Sequence, residues 1–505
     1  MMKFWFITSF IILTIMVVFP VLAISAVSEA VVKIYAVYNT PDYSNPWNMS
    51  GPRSRTGSGA IIEGNLILTN AHVVSDVTFL QVRRHGETQR YAARVAAVSH
   101  QSDLALVEVE DPVFFDGVEP LAFGGLPETH QEVKVYGFPL GGDSLSVTRG
   151  IVSRIEHRPY VHSSISLLAG QIDAAINPGS SGGPVIVEDV IVGVVMQGIP
   201  QAQNIGYMVP SPVIDHFLTG GRDGVYHGFP SVGFLVQAME NPGMRSAYRM
   251  KEGQSGVLIT RTIPGSPADG VLRSGDVLLT IGGFPVANDG SIEFRHREWT
   301  SLSYVVQKKQ IGETIGMEIL RNGITHSLEL VLHRSMDENW LVPMERYETD
   351  PTYLIYGGIV FSPLSKDLFG IWGPDWPATA PTELLVHLFN NVPRVDGEQV
   401  VIVLRVLAAD VNQGYQEITG WIVDRVNGEK IWNMKDLARM LDEQDERFYT
   451  ILENDQGQQI ILDSQKARDN HARILATYRI ARDRSSDLVV DQSESVTEEE
   501  SIVNY

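Results

Sequence analysis

The chain has 505 residues, 44% of them hydrophobic, which is more than one core can organise and describes a globular protein of several domains. Its 60 acidic residues against 39 basic ones leave a net charge of -21, which argues against nucleic acid as a partner because phosphates would be repelled. The absence of cysteine excludes disulfide staples, thiol catalysis and cysteine metal sites together.

Met1-Met2-Lys3 and the apolar run over residues 4–27 form a charged leader and a hydrophobic segment that address the chain to a membrane. Ala23, Ser25, Ala26 and Ser28 offer signal-peptidase sites. The run is also long enough to span a bilayer, with Pro20 its one interruption. Residues 1–28 are therefore either a cleaved signal peptide or a retained inner-membrane anchor. The rest of the chain is expected beyond that membrane, periplasmic or otherwise exported, with membrane contact only through the N-terminal segment.

From Val31 the pattern is short β-branched runs broken by turns, predicting strands over 31–37, 59–62, 66–69, 78–82, 104–109 and 132–136. Helical periodicity appears only near 211–218, so residues 31–220 read as an all-β barrel or sandwich. Within it, Asn177-Pro178-Gly179-Ser180-Ser181-Gly182-Gly183-Pro184 lies between two apolar runs and reads as a tight turn joining buried strands. Its glycines let successive N–H groups turn to one side, the arrangement a developing oxyanion needs about 3 Å away. Ser181 is the candidate nucleophile, and the competing reading is a Ser/Gly surface turn.

Two upstream segments bear on that choice. Leu68-Thr69-Asn70-Ala71-His72-Val73-Val74 ends a strand in a small-residue turn carrying His72, and Ser102-Asp103-Leu104-Ala105-Leu106-Val107 opens a buried strand with an aspartate. Alone, His72 reads as a core or capping residue and Asp103 as a strand-end cap. With Ser181 they follow the order His, Asp, Ser, the chymotrypsin-like order and not that of the subtilisin or α/β-hydrolase folds. In that mechanism His72 takes the Ser181 proton and later protonates the leaving amine, while Asp103 fixes the imidazole tautomer. The N–H groups of Gly179 and Ser181 then form the oxyanion hole.

Thr69-Asn70-Ala71-His72-Val73-Val74, Ser102-Asp103-Leu104-Ala105-Leu106 and the run from Asp173 to Pro184 resemble the three catalytic blocks of the HtrA/DegP family of serine proteases. Gly137-Phe138-Pro139-Leu140-Gly141-Gly142-Asp143, Val147-Thr148-Arg149-Gly150-Ile151-Val152-Ser153 and Asn204-Ile205-Gly206-Tyr207-Met208-Val209-Pro210 resemble it too. Ser180 departs from the family's usual asparagine; the position contributes mainly backbone, so only a modest effect on the oxyanion hole is expected. The resemblance implies a mainly β, multidomain chain with a chymotrypsin-like double β-barrel. It also implies a specificity pocket lined by Ile176, Val194, Val195 and Met196, suited to small aliphatic residues before the cut because nothing there pairs a cation. Residues 154–168 would fall in the loop that in this family links the protease to its regulatory domain.

After Gly220-Gly221-Arg222-Asp223-Gly224, a linker, residues 225–335 read as a small mixed domain that looks like a PDZ domain of the HtrA type. Val232, Gly233 and Phe234 resemble its carboxylate-binding loop, where a peptide C-terminus is captured while the peptide adds to a sheet edge; the competing reading is an ordinary strand after a turn. The segment over 289–299 resembles an insertion of plant Deg-type members. Residues 345–480 resemble a second, divergent PDZ-like domain whose Pro- and Trp-rich insert over 370–381 points to an assembly or interdomain role at least as much as to peptide binding. Residues 485–505 end in an acidic stretch that reads as a disordered tail.

The resulting expectation is an ATP-independent serine endopeptidase acting on unfolded or damaged proteins, regulated by PDZ domains and assembled as a homotrimer or larger homo-oligomer. The alternative is a peptide-binding chaperone or scaffold with an inactive protease domain. The proposed chemistry requires neither metal nor cofactor, and the histidines show no H-E-x-x-H spacing.

Overall fold

The structure, a computed structural model, describes residues 27–140, 142–198, 205–221, 226–390, 392–443 and 448–489. Residues 1–26 of the membrane-directed segment, Gly141, Asn204, linker residues 222–224 and residues 490–505 of the tail expected over 485–505 lie outside the described residues. Ser485 to Val489 do not fit a disordered tail, since Ser486–Leu488 forms a 3₁₀ turn whose Leu488 is buried in a core. Among those described, no helix is long and apolar enough to cross a membrane. The chain divides into two compact units, one comprising the described parts of Met1–Tyr38 and Arg53–His227, the other those of Asn39–Pro52 and Gly228–Tyr505.

The first unit is two antiparallel barrels of six strands each. The first barrel contains β1 (Val31–Tyr38), β2 (Arg53–Ile62), β3 (Leu66–Thr69), β4 (Val77–Arg84), β5 (Tyr91–Ser99) and β6 (Leu104–Val109), closed in the order β1-β2-β3-β6-β5-β4. The second contains β7 (Glu132–Gly137), β8 (Ser146–Pro159), β9 (Ser166–Ile172), β10 (Pro184–Val187), β11 (Val190–Gly198) and β12 (Gly206–Pro210), closed in the order β7-β8-β9-β12-β11-β10. Alternation sets each wall: in β7, Val133 and Val135 are buried while Glu132 and Lys134 face out. A one-turn helix, α1 (Ala71–Val74), follows β3, and α2 (Ser211–Gly220) closes the unit where the helical pattern was expected.

One expectation is corrected here. Residues 154–168 are not a loop: β8 runs to Pro159 and β9 starts at Ser166, pairing from Arg154↔Gln171 to Pro159↔Ser166. The alternation of Arg154, Glu156 and Arg158 with other residues concealed a two-sided strand with one polar face. Only the turn between the strands is irregular; Val161 is exposed there, but Tyr160 is fully enclosed, its hydroxyl donating to Leu168 O at 2.5 Å, and His162 and Ser163 are buried.

The second unit contains the two downstream domains. In the first, Phe234–Gln237 is the edge of a sheet continued by Val257–Thr262, Val277–Ile281, Thr314–Arg321 and Ile324–Val331, with a core that includes Ile259, Leu278, Ile281 and Met317. The segment over 289–299 is largely a hairpin, Ser291–Arg295 with Glu298–Ser301. In the second domain, Val401–Val406 serves two cores at once, Ile402 and Leu404 facing one and Val401 and Val403 the other, which accounts for the unbroken apolar run from Val401 to Leu404.

Asn39–Pro52, expected within the barrel domain, instead belongs to the second unit. Its aromatic residues are the cause. Tyr43 and Trp47 pack on the core of Leu368, Phe369 and Ile402, Trp47 meets Tyr353 edge-on at 5.8 Å, and Arg405 Nη1 donates to Asn45 Oδ1.

Candidate active site

His72 lies in α1, directly after β3, and Asp103 sits one residue before β6, so the β3–β6 pairing brings the two strand ends together. Asp103 has φ +54°, a left-handed conformation that aspartate tolerates better than most side chains, and Asn70 Nδ2 holds its carbonyl at 2.8 Å. The buried carboxylate accepts the His72 backbone N–H at 2.9 Å and faces His72 Nδ1 at 2.8 and 2.9 Å. Burial would push the Asp103 carboxyl up, but the charge and hydrogen bonds of His72 outweigh it and hold the group below its ordinary range. With Nδ1 committed to the carboxylate, Nε2 is left as the available proton acceptor on a side chain that is 33% exposed.

Two further groups surround this pair. Arg55 of β2 donates to His72 O at 2.6 Å and to Ser75 O, clamping α1 at its C-terminal end, and its guanidinium lies 3.9 Å from the centre of the Tyr38 ring. His162, buried in the turn between β8 and β9, places its ring 6.1 Å from that of His72 and hydrogen-bonds His100 at 2.9 Å. Burial lowers the His162 imidazole to about 3, so it is neutral at ordinary pH and adds no charge to the site.

The turn carrying Ser181 is held carbonyl by carbonyl. Leu140 N–H donates to Pro178 O at 2.7 Å, Ser58 Oγ to Gly179 O at 2.8 Å, Gly183 N–H to Ser180 O at 3.0 Å and Ser58 N–H to Ser181 O at 2.8 Å. Ser180 N–H donates to Asn177 O and Gly182 N–H to Val195 O. The N–H groups of Gly179 and Ser181 donate to nothing among the described residues. Two alternate amides are thus left open in an otherwise saturated turn, the arrangement of an anion-binding nest. Gly182, at φ +83°, fits so closely that a Cβ would lie 2.2 Å from both Ser58 O and Thr69 Oγ1, which places the turn against the residues leading into α1. Ser181 Oγ makes no hydrogen bond to His72 among the described residues; such contacts tighten when substrate arrives.

Of the residues assigned to the pocket, Val194, Val195 and Met196 are all buried in β11, and Ile176 is half-buried, its Cδ1 packed on Gly206 so that a Cβ there would be 2.2 Å away. Strand alternation turns Val195 away from Val194, so the two face opposite sides of the wall. In the second unit, Val232, Gly233 and Phe234 line a cleft of about 270 Å³ between the edge strand Phe234–Gln237 and the helix Ser303–Gln307, with Leu302 and Val306 opposite. Gly233 is at φ +79°, and a Cβ would lie 2.1 Å from Ser266 Cβ. No group of three or more His, Asp or Glu among the described residues is arranged to hold a metal ion. Sequence reasoning missed Ser58, Arg55 and His162; the first two lie in the part of β2 that precedes the strand predicted over 59–62, and their contacts are long-range.

The trypsin-like peptidase domain profile matches residues 57–194 and the PDZ domain profile residues 342–487. The chain is 37% identical to Protease Do-like 4, mitochondrial, of Arabidopsis thaliana over 90% of its own length and 84% of that protein's. It is 38% identical to Protease Do-like 2, chloroplastic, of the same plant, over 91% and 75%. Among solved structures, the HtrA-type protease AlgW, in a variant with a decapeptide, superposes with a TM-score of 0.50 at 22% identity, covering 62% of this chain and 97% of that one. That likeness is one of fold.

Proposed function

The chain belongs to the HtrA/Deg family of serine proteases, and from that premise we propose that it hydrolyses peptide bonds through Ser181, His72 and Asp103, with the oxyanion held by the N–H groups of Gly179 and Ser181. The observation that carries this reading is the pairing of a carboxylate-anchored imidazole with a turn whose open amides flank Ser181. Ser181 Oγ attacks the substrate carbonyl as His72 Nε2 takes its proton. The negative charge that develops on oxygen meets the two free N–H groups, and His72 then protonates the departing amine. Asp103 stays ionised and stabilises the imidazolium.

The substrates are unfolded or damaged proteins, cut without ATP after small aliphatic residues, with Ile176 and the side chains on one face of β11 walling the pocket. The cleft at Val232, Gly233 and Phe234 takes a peptide C-terminus onto the free sheet edge and regulates cleavage; the decapeptide of AlgW is in keeping with peptide recognition. The working state is a homotrimer or larger. The place of work is a membrane-bounded compartment reached through the N-terminal segment, and the mitochondrial and chloroplastic names of the plant relatives favour an organelle over a periplasm.

The open Ser181–His72 contact favours one competing reading, a peptide-binding protein with a silent site. Mapping cleavage sites in unfolded casein, with and without an added C-terminal peptide, tests the proposal. Cuts after Val, Ala or Ile that vanish in Ser181→Ala support it; cuts that survive in that variant refute the assignment of the nucleophile.

A further inference from the structure

The open amides of the Ser181 turn raise a physical difficulty. Gly179 has φ +95°, and a Cβ at that position would lie 2.6 Å from Phe138 O and 2.8 Å from Leu140 N, so only glycine fits. Glycine supplies no stiffness of its own, because it visits both signs of φ at little cost. A peptide plane there can rotate, and a rotated plane points Gly179 N–H away from the oxyanion. The conformation has to be imposed from outside the turn.

Ser58 is placed to impose it. It lies in β2 of the first barrel and is fully buried. Its Oγ donates to Gly179 O at 2.8 Å and accepts Phe138 N–H at 2.8 Å, while its backbone N–H donates to Ser181 O at 2.8 Å. Its own carbonyl is fixed by Thr69 Oγ1 at 2.7 Å. With Ser180 N–H on Asn177 O at 2.9 Å, the Gly179–Ser180 peptide is gripped at both its oxygen and its hydrogen. The Phe138 bond ties in the segment whose Leu140 N–H holds Pro178 O, the next carbonyl back. Only a group that donates and accepts at once can serve both Gly179 O and Phe138 N–H, and a hydroxyl does. Further along that segment, the buried Lys33 of β1 donates from Nζ to Gly142 O at 2.9 Å and to Asp143 Oδ1 at 2.8 Å.

We propose that the Ser58 hydroxyl is a positioning group for the reaction: it holds the Gly179–Ser180 peptide, which lies between the two peptide planes that carry the Gly179 and Ser181 N–H groups, and through Phe138 it braces the segment that holds Pro178 O, so that the oxyanion hole of the second barrel is formed before substrate arrives, with Lys33 as a weaker, more distant brace. The inference rests on the assignment of Ser181 and the Gly179 and Ser181 amides made above. It makes the first barrel a template for the backbone of the second, in addition to the source of the base.

The test uses the full chain and compares the parent with Ser58→Ala, Ser58→Cys, Lys33→Met and Ser181→Ala. It measures kcat and KM on a peptide substrate, affinity for a peptide boronate whose tetrahedral adduct places an oxygen in the hole, and thermal stability. Ser58→Ala is expected to lower kcat by about 10- to 100-fold, less than the full loss of an oxyanion donor, with KM within about twofold. Boronate affinity should fall by the same factor, a coupling that a merely structural role would not produce. Ser58→Cys should recover part of the loss, and Lys33→Met should cost about threefold. A Ser58→Ala enzyme with kcat and boronate affinity within about twofold of the parent overturns the inference. Loss of the fold in both Ser58 variants overturns it too, since Ser58 would then act on stability alone. If Ser181→Ala is inactive in either case, the assignment of the nucleophile stands; if Ser181→Ala keeps its activity, that assignment falls and takes this one with it.

Discussion

The two barrels close their six strands in the same order yet give the site different kinds of group. The first supplies side chains at strand ends, His72 after β3 and Asp103 before β6, held by Arg55 and Asn70. The second supplies one hydroxyl and two backbone N–H groups from a turn between β9 and β10. In the proposed mechanism, acid–base chemistry is carried by residue identity, whereas oxyanion binding is carried by conformation, which residues elsewhere enforce. Substitution reaches the first directly and the second only through neighbours.

The largest effect is expected where both halves meet. Ser181→Ala should lower kcat by on the order of 10⁵- to 10⁶-fold while leaving the melting temperature within a few degrees, as calorimetry alongside peptide hydrolysis would show. Next comes the side-chain half: Asp103→Asn should cost about 10⁴-fold in kcat by leaving His72 in the wrong tautomer. The same variant has a pH signature. The folded Asp103 carboxyl lies below its unfolded value, so its contribution to stability is present above about pH 4 and is lost as pH falls through the folded value. A pH series of melting temperatures should therefore show an acid decline in the parent that is shallower in Asp103→Asn.

The backbone half is reached by Gly179→Ala. The added Cβ has no room beside Phe138 O and the backbone is at φ +95°, so the turn must shift. The expected loss in kcat is about 10²- to 10³-fold with little change in KM, matching removal of an oxyanion donor. A Gly179→Ala enzyme as active as the parent would break the contrast between the barrels, since the turn's conformation would not matter. Smallest is Arg55→Leu, which frees the carbonyls of His72 and Ser75 from their clamp. A fall in kcat of about tenfold is expected, consistent with misplacement of a group that still carries its chemistry.

The same contrast explains how much could be read from the chain. His72, Asp103 and Ser181 stand out because their residue types and order are tied to one chemistry, and β-branched alternation located β1, β3 and β6 nearly to the residue. The hairpin of β8 and β9 was hidden because Arg154, Glu156 and Arg158 gave it a polar face resembling a loop. Ser58 and Arg55 were invisible for another reason. Their roles depend on partners 17 to 121 residues away, and a serine or arginine in a strand carries no local sign of such a contact. Asn39–Pro52 likewise reads as a barrel loop until Trp47 and Tyr43 find the core of another domain.

The central claim is that the Ser181 turn is formed at rest, with the Gly179 and Ser181 amides open and His72 Nε2 available to take the Ser181 proton. Labelling the full chain with a fluorophosphonate, with no peptide added, and mapping the adduct by mass spectrometry tests it directly. The account predicts stoichiometric phosphonylation of Ser181. Labelling that appears only after a C-terminal peptide is supplied, or that falls on another residue, would contradict it.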